Sequence, residues 1–506
     1  MMEGDDPSLW LSFRPLLRYS FTLSGAALLS VAIQFPLGIL IARQIGPRLL
    51  GIVGLIGLWQ FYAALTKPGI YSAAQLELSA LLAQGKTEEA RTVQNLGITG
   101  EGLTVLIAAV GMAVAGLLTA DPLLRAGLLV GAVVFVISQA GDFSTGIQQM
   151  HQRFGLVAKA TAVSAVVSAG FVLLTLPWLT MYTPLLKIAV AACAAMAVYR
   201  YGAPPLGFRW RWDRQQMWRL FMVGIPLSMA NIFYLIFRAI DQTAVAMSLP
   251  LTEVGYFTFA KQCVWGGVML GASLPVVLQA KLWAGLGRAG DPQTLGPQIR
   301  QVTVWLFLLT CAMVTCAQAS FGAMVHWFAP AYAPSVETFE LLAFLMACGL
   351  VQSIPIYVLT SATVNRRRLP TVLWGAGVLL SLALTTAAVR AGWGLRGIAL
   401  ASVIAQTVIS ALFVFSMQRH VCAGWRDRLS LNGALLGLLA VTVGLYAAYH
   451  LAPLAYASPR PMAVTFSLRL AAACVVWAAV GGAVLLRGRS RSVVVADREL
   501  AGAELS

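Results

Sequence analysis

The sequence predicts an all-α polytopic membrane protein with about fourteen transmembrane helices. Three observations predict it: composition, a series of apolar runs, and the placement of basic residues between those runs. Of 506 residues, 59% are hydrophobic and 11% are charged, against about 25% charged in an average soluble domain. The mean hydropathy is +0.79. Most residues of a soluble domain touch its surface, so water would meet too much apolar area. A cytosolic enzyme, a secreted disulfide scaffold and a disordered chain are therefore excluded, and lipid becomes the outer solvent.

A spanning helix needs about 20 mainly apolar residues. Runs meeting that need cover residues 19–42, 51–76, 102–120, 126–141, 160–180, 184–198, 220–249, 254–280, 302–327, 339–363, 369–389, 397–417, 431–450 and 466–486. The sixth is the weakest, being short and carrying Lys187 near its start. Pro36, Pro68, Pro226, Pro275 and Pro355 interrupt several runs. Proline in a membrane helix marks either a fixed bend or a hinge of a moving bundle.

The charges assign the sides. With the N-terminus inside, 24 of the 35 Lys and Arg fall in inner segments and 8 fall outside or at outer helix ends. The other three, Lys67, Arg238 and Lys261, lie within spans. Positive residues concentrate on the cytoplasmic side, so both termini are expected there. The N-terminus, with Glu3, Asp5 and Asp6, lacks the basic start of a cleaved signal peptide. The inner connection Gly207-Phe208-Arg209-Trp210-Arg211-Trp212 interleaves basic and aromatic residues. Stacking on nucleic acid would use such residues, but a place between two spans favours the headgroup zone. No nucleic-acid partner is expected. The seven Cys pair in no loop and the four His match no metal spacing, so neither a disulfide framework nor a metal site is indicated.

An internal repeat organises the chain. Residues 42–51, ending in Gly51, correspond to residues 246–255, ending in Gly255, at an offset of 204. The inner loops at Gly85–Arg91 and Gly290–Thr294 correspond at an offset of 205. Two six-span halves in one orientation follow, related by an axis along the membrane normal. The expected organisation is a cytoplasmic N-terminal segment (1–18), an N-lobe (19–201), a cytoplasmic linker (202–218) and a C-lobe (219–418). Two further spans (419–487) and a cytoplasmic tail (488–506) complete it.

Several stretches then resemble a known family. They are Leu40–Gly51, Leu81–Arg91, Ile236–Asp241 with Val254–Lys261, Asn365–Arg368 and Gly397–Ala401. Together they resemble the polysaccharide flippases of the multidrug/oligosaccharidyl-lipid/polysaccharide exporter superfamily, over roughly residues 15–420. That resemblance implies two bundles in a V around a central cavity lined by spans 1, 2, 7 and 8. It also implies transfer of an undecaprenyl-diphosphate-linked oligosaccharide from the inner to the outer leaflet in exopolysaccharide or O-antigen assembly. Polysaccharide polymerase or export proteins would be partners beside the membrane lipids.

The residues themselves give candidate sites. Ala80–Thr87 fits a relaxed phosphate-loop pattern, but the apolar helical run before it is not the strand such a loop needs. The alternative is a helix start capped by Thr87 ahead of Glu88 and Glu89. A charge at mid-bilayer costs about 2.5–3.5 kcal/mol on insertion scales and so faces protein or water. The resemblance places the spans of Lys67, Arg238 and Lys261 around the cavity, so they are read as a cationic lining for a diphosphate, with Lys67 the leading substrate contact because its nearest acid, Glu77, is ten residues away. Many relatives carry an acidic residue near that position, which sets this chain apart from the pattern. Arg238 could instead pair with Asp241 on its own helix face, and Lys261 could snorkel to an interface. Asp241, Glu77 and Asp142 are candidates for gating or proton coupling, the last two also reading as solvated helix ends. No nucleophile elbow or HExxH is present, so no catalytic residue, metal or cofactor is expected. A drug or cation antiporter of the same superfamily should instead carry acidic residues in its cavity. A membrane-embedded polysaccharide ligase or polymerase should carry catalytic groups on large outer loops.

Overall fold

The computed structural model describes residues 14–67, 69–151, 153–202, 209–289, 291–361, 363–451 and 464–484. All regular structure among them is helical. The N-lobe comprises α1 (Arg14–Leu65), α2 (Ile70–Ala83), α3 (Thr87–Leu118), α4 (Pro122–Met150), α5 (Phe154–Leu179) and α6 (Tyr182–Gly202). The C-lobe comprises α7 (Arg214–Ser248), α8 (Leu251–Ala289), α9 (Gly296–Phe328), α10 (Ser335–Leu342), α11 (Phe344–Val351), α12 (Ser353–Thr360), α13 (Arg368–Arg390) and α14 (Gly394–Val421). Helices α15 (Trp425–Leu451) and α16 (Val464–Val484) follow, and the indole N–H of Trp477 on α16 donates to Thr315 Oγ1 on α9 at 2.7 Å.

Each predicted apolar run falls on a helix or a string of short helices. Eleven described helices are long and apolar enough to cross a bilayer, or twelve with the bent α7. Helix α1 holds the first run and the larger part of the second, divided at Gly46. Gly46 has φ +73°, a conformation that only glycine adopts without strain. The second run is itself broken between Leu65 and Ile70, where Gly69 has φ +82°. Helix α7 bends by 53° beside Pro226, where the ring removes a ladder hydrogen bond. Helix α3 begins at Thr87, with Lys86 rather than Thr87 in the capping position and no side-chain cap bond. Glu88 and Glu89 do lie in its first turn, where the helix dipole favours acids. It starts well before the predicted run, which places Glu101 in mid-helix. The inner connection after residue 208 lies along α3: the Arg209 and Arg211 amides donate to Asn95 and Thr99, both at 3.3 Å. Trp210 and Trp212 stay exposed.

The repeat reappears as contact. With outer and inner denoting the ends assigned by the basic residues, the outer corners of α1 and α8 meet. A side chain at Gly51 would strike the Leu251 carbonyl, and one at Gly255 would strike the Pro47 carbonyl. These residues are mutual counterparts at the offset of 204, so two backbones cross with pseudo-two-fold symmetry. Gly54 faces Thr258, its own counterpart. Toward the inner end, Gly69 packs on Gly224 and Ser228 of α7. Arg219 on α7 donates to Glu77 on α2 at 2.7 Å. The halves thus touch at both ends.

Candidate functional site

Between those contacts lies a cavity of about 750 Å³, bounded by α1, α6, α7 and α8, with Thr161 of α5. Most of its wall is apolar, but Gln34, Gln60, Lys187, Arg238, Gln242, Lys261 and Gln262 reach it. Both halves contribute, as expected for a substrate site between repeats.

Arg238 is held by aromatic rings. Its guanidinium carbon lies 3.3 Å from the Trp265 ring centre and 5.4 Å from that of Tyr234, and Nη1 donates to the Tyr234 hydroxyl at 3.4 Å. Ring faces attract a cation without neutralising it. Its buried Nε has no hydrogen-bond partner among the described residues. The local pair with Asp241 does not form. Asp241 instead accepts from Lys261 Nζ at 2.5 Å, and Lys261 also donates to the Arg238 carbonyl at 2.7 Å. Lys261 is buried and does not snorkel to an interface. The Lys261–Asp241 pair is internally balanced, so Arg238 keeps its charge for the cavity.

Lys187 joins the cavity wall from α6. No carboxylate lies within ion-pairing distance of it among the described residues. Its place near the start of the sixth run suggested an outer helix end. One turn of helix before it, from Tyr182, carries it inward instead. Its lack of any acidic neighbour within 25 residues was the signal in the sequence.

Lys67 lies elsewhere. It sits at the break in the second run, and its amino group turns into the N-lobe, donating to Gln139 Oε1 on α4. The Phe143 ring centre is 5.9 Å away, and Lys67 is absent from the cavity wall. The expectation that it lines the cavity is corrected on this point, because the break redirects its side chain. Glu101 and Asp142 face it electrostatically. Glu101 is buried, and its Oε2 accepts the Tyr71 amide at 2.9 Å in the first turn of α2. A carboxylate from α3 thus satisfies the helix start exposed by the break. Asp142 is exposed on α4. Glu77 bridges the lobes through Arg219, which the sequence did not pair with it. The structure brings Arg238, Asp241 and Lys261 together, and leaves Lys67 with Asp142, and Glu77, at two other places.

Two helical halves of span-length apolar helices enclose a partly cationic cavity. The profile of a family described as "Polysaccharide biosynthesis protein" matches residues 40–268. The structure of "Lipid II flippase MurJ, inward closed conformation" is similar with a TM-score of 0.67 and 12% identity, covering 93% of this chain and 100% of that one. An inward-facing multidrug resistance transporter of the MATE family gives a TM-score of 0.62 at 12% identity, covering 81% of this chain and 95% of that one. A Pyrococcus furiosus transporter, described as having a binding pocket of reverse polarity, gives 0.51 at 12% identity over 82% and 96%. No curated protein sequence matches. At 12% identity these structures share the fold of this chain, and the family profile matches a stretch that runs from α1 into α8.

Proposed function

We propose that this protein is a flippase that carries an undecaprenyl-diphosphate-linked oligosaccharide from the inner to the outer leaflet during polysaccharide biosynthesis. The observation that carries the reading is Arg238, a guanidinium held against Trp265 in the cavity wall with no carboxylate to neutralise it. A diphosphate is a bidentate acceptor, and arginine is the side chain whose fork matches it. Lys187, on the facing half, adds a point charge. Lys261 holds Asp241 out of the cavity's charge balance. The isoprenoid tail stays in lipid while the headgroup passes between the halves. The Gly51–Gly255 crossing opens outward, and the Gly69–Gly224 contact with the Glu77–Arg219 pair opens inward, in alternation. Lys67, Glu101 and Asp142 form a separate polar group suited to coupling, while Asp241, tied to Lys261, is suited to gating. A membrane potential negative inside also favours outward movement of an anion. The protein would reside in a bacterial inner membrane with both termini cytoplasmic, and hand its product to a polysaccharide polymerase or export protein.

The test is glycan export in cells whose only copy carries Arg238→Ala or Lys187→Ala. Loss of export, with lipid-linked glycan accumulating at the inner leaflet, supports the reading; normal export in both sinks it. The cation-antiporter alternative has the MATE-like fold in its favour. It requires a free acid in the cavity, whereas Asp241 is tied to Lys261.

A further inference from the structure

A second cavity, of about 850 Å³, opens at the outer ends of α8, α9, α10, α14, α15 and α16. It is distinct from the central one and shares no lining residue with it. Its volume lies within the roughly 300–1,000 Å³ of sites that enclose a small organic ligand.

Its chemistry is unusual for a flank of a membrane protein. Glu337 pairs with Arg396. Glu340, buried, lies 3.6 Å from His450 Nε2. Arg469, also buried, donates to the Tyr449 carbonyl at 2.5 Å and acts electrostatically on Glu340. Three glutamates, with Glu253, thus stand against two arginines and two histidines among the lining residues, which disfavours a ligand of high net charge. What remains is a dense set of donors and acceptors fixed by mutual contact. At the rim stands Trp393, 63% exposed, offering a ring face to C–H groups. Fixed carboxylate and guanidinium groups for hydroxyls, with an indole face beside them, suit a neutral saccharide.

Both cavities border α8. Tyr256 lines the outer one and Trp265, the platform of Arg238, lines the central one. The nine residue steps from one to the other span about 14 Å of helix at 1.5 Å each. We infer that the outer cavity is a saccharide-binding subsite that receives the glycan of the transported lipid as it emerges, an inference that rests on the flippase reading. Binding there favours the outward-delivered state and biases release.

The test separates glycan from headgroup. Trp393→Ala and Glu340→Gln are expected to lower glycan export in cells at least fivefold. Trp393→Phe, which keeps a ring, retains more than half. The affinity of each purified full-length variant for sugarless undecaprenyl diphosphate in nanodiscs stays within twofold of the parent. Unchanged export in Trp393→Ala, or an equal loss of undecaprenyl diphosphate affinity, overturns the subsite. If the parent protein binds no undecaprenyl diphosphate, or Arg238→Ala binds it normally, the flippase reading itself fails and takes the subsite with it.

Discussion

Each half of the molecule holds a lysine near a carboxylate, half-buried Lys67 in the N-lobe and buried Lys261 in the C-lobe, and the two lysines do different things. In the C-lobe, Lys261 pairs directly with Asp241 at 2.5 Å and borders the central cavity. In the N-lobe, Lys67 meets the neutral Gln139, with Glu101 and Asp142 farther off, and stays away from that cavity. The pseudo-equivalent walls differ too. The residue 204 positions before Arg238 is Gln34, which donates to Ser168 on α5 at 2.9 Å. The repeat therefore supplies a shape with two-fold character but not a matching charge at these two positions. A buried cation contributes to binding an anion only if no nearer carboxylate claims it. In the C-lobe one lysine claims the aspartate and so leaves the arginine available.

The largest effect expected from breaking this contrast is on stability. Lys261→Ala leaves Asp241 buried without its partner, which costs about 3–5 kcal/mol. A fall in the thermal midpoint of the purified protein reads it, and the double change with Asp241→Leu should recover most of the loss. A variant as stable as the parent would show that the pair is not carrying its buried charge. Next, Arg238→Ala should weaken undecaprenyl diphosphate binding by about 1.5–3 kcal/mol, the range of hydrogen bonds to charged groups. Gln34→Ala should change it far less, so equal effects would erase the asymmetry. Gly255→Ala pushes a methyl group into the Pro47 carbonyl, an overpacking of about 1–3 kcal/mol. It should open the outer crossing, read as faster labelling of a cysteine placed at Thr258 by an impermeant maleimide; unchanged labelling would count against that crossing as an outer gate. The smallest effect is expected at Arg219→Ala. Its pair with Glu77 is partly exposed, and such pairs contribute about 0–1 kcal/mol. A stability loss well above that would show that the inner contact depends on charge and not on Gly69 and Gly224.

The pattern of spans was legible because each apolar run must satisfy its backbone internally and so becomes a helix. The offset between Gly51 and Gly255 was legible as well, and those two glycines turn out to face each other's corners. The cavity was only partly legible. Arg238 and Lys261 do border it, but the pairing with Asp241 that the sequence offered as one option for Arg238 goes to Lys261. Adjacency on one helix favours Arg238, whereas the closer amino group comes from the next helix, 20 residues on. Glu101 escaped notice because the helix around it starts 15 residues before the apolar run. Lys187 escaped because a basic residue near a run's end resembles a topological marker.

From the sequence alone follow the membrane as solvent, the helical segments and the two-half plan. These depend on hydrophobicity and spacing, which are properties of short stretches of chain. Which cation stays free, which acid is neutralised and which lysine leaves the cavity were decided only by the tertiary structure. Charge pairing falls off steeply with distance in a low-dielectric interior, so an ångström or two between helices remote in sequence settles it.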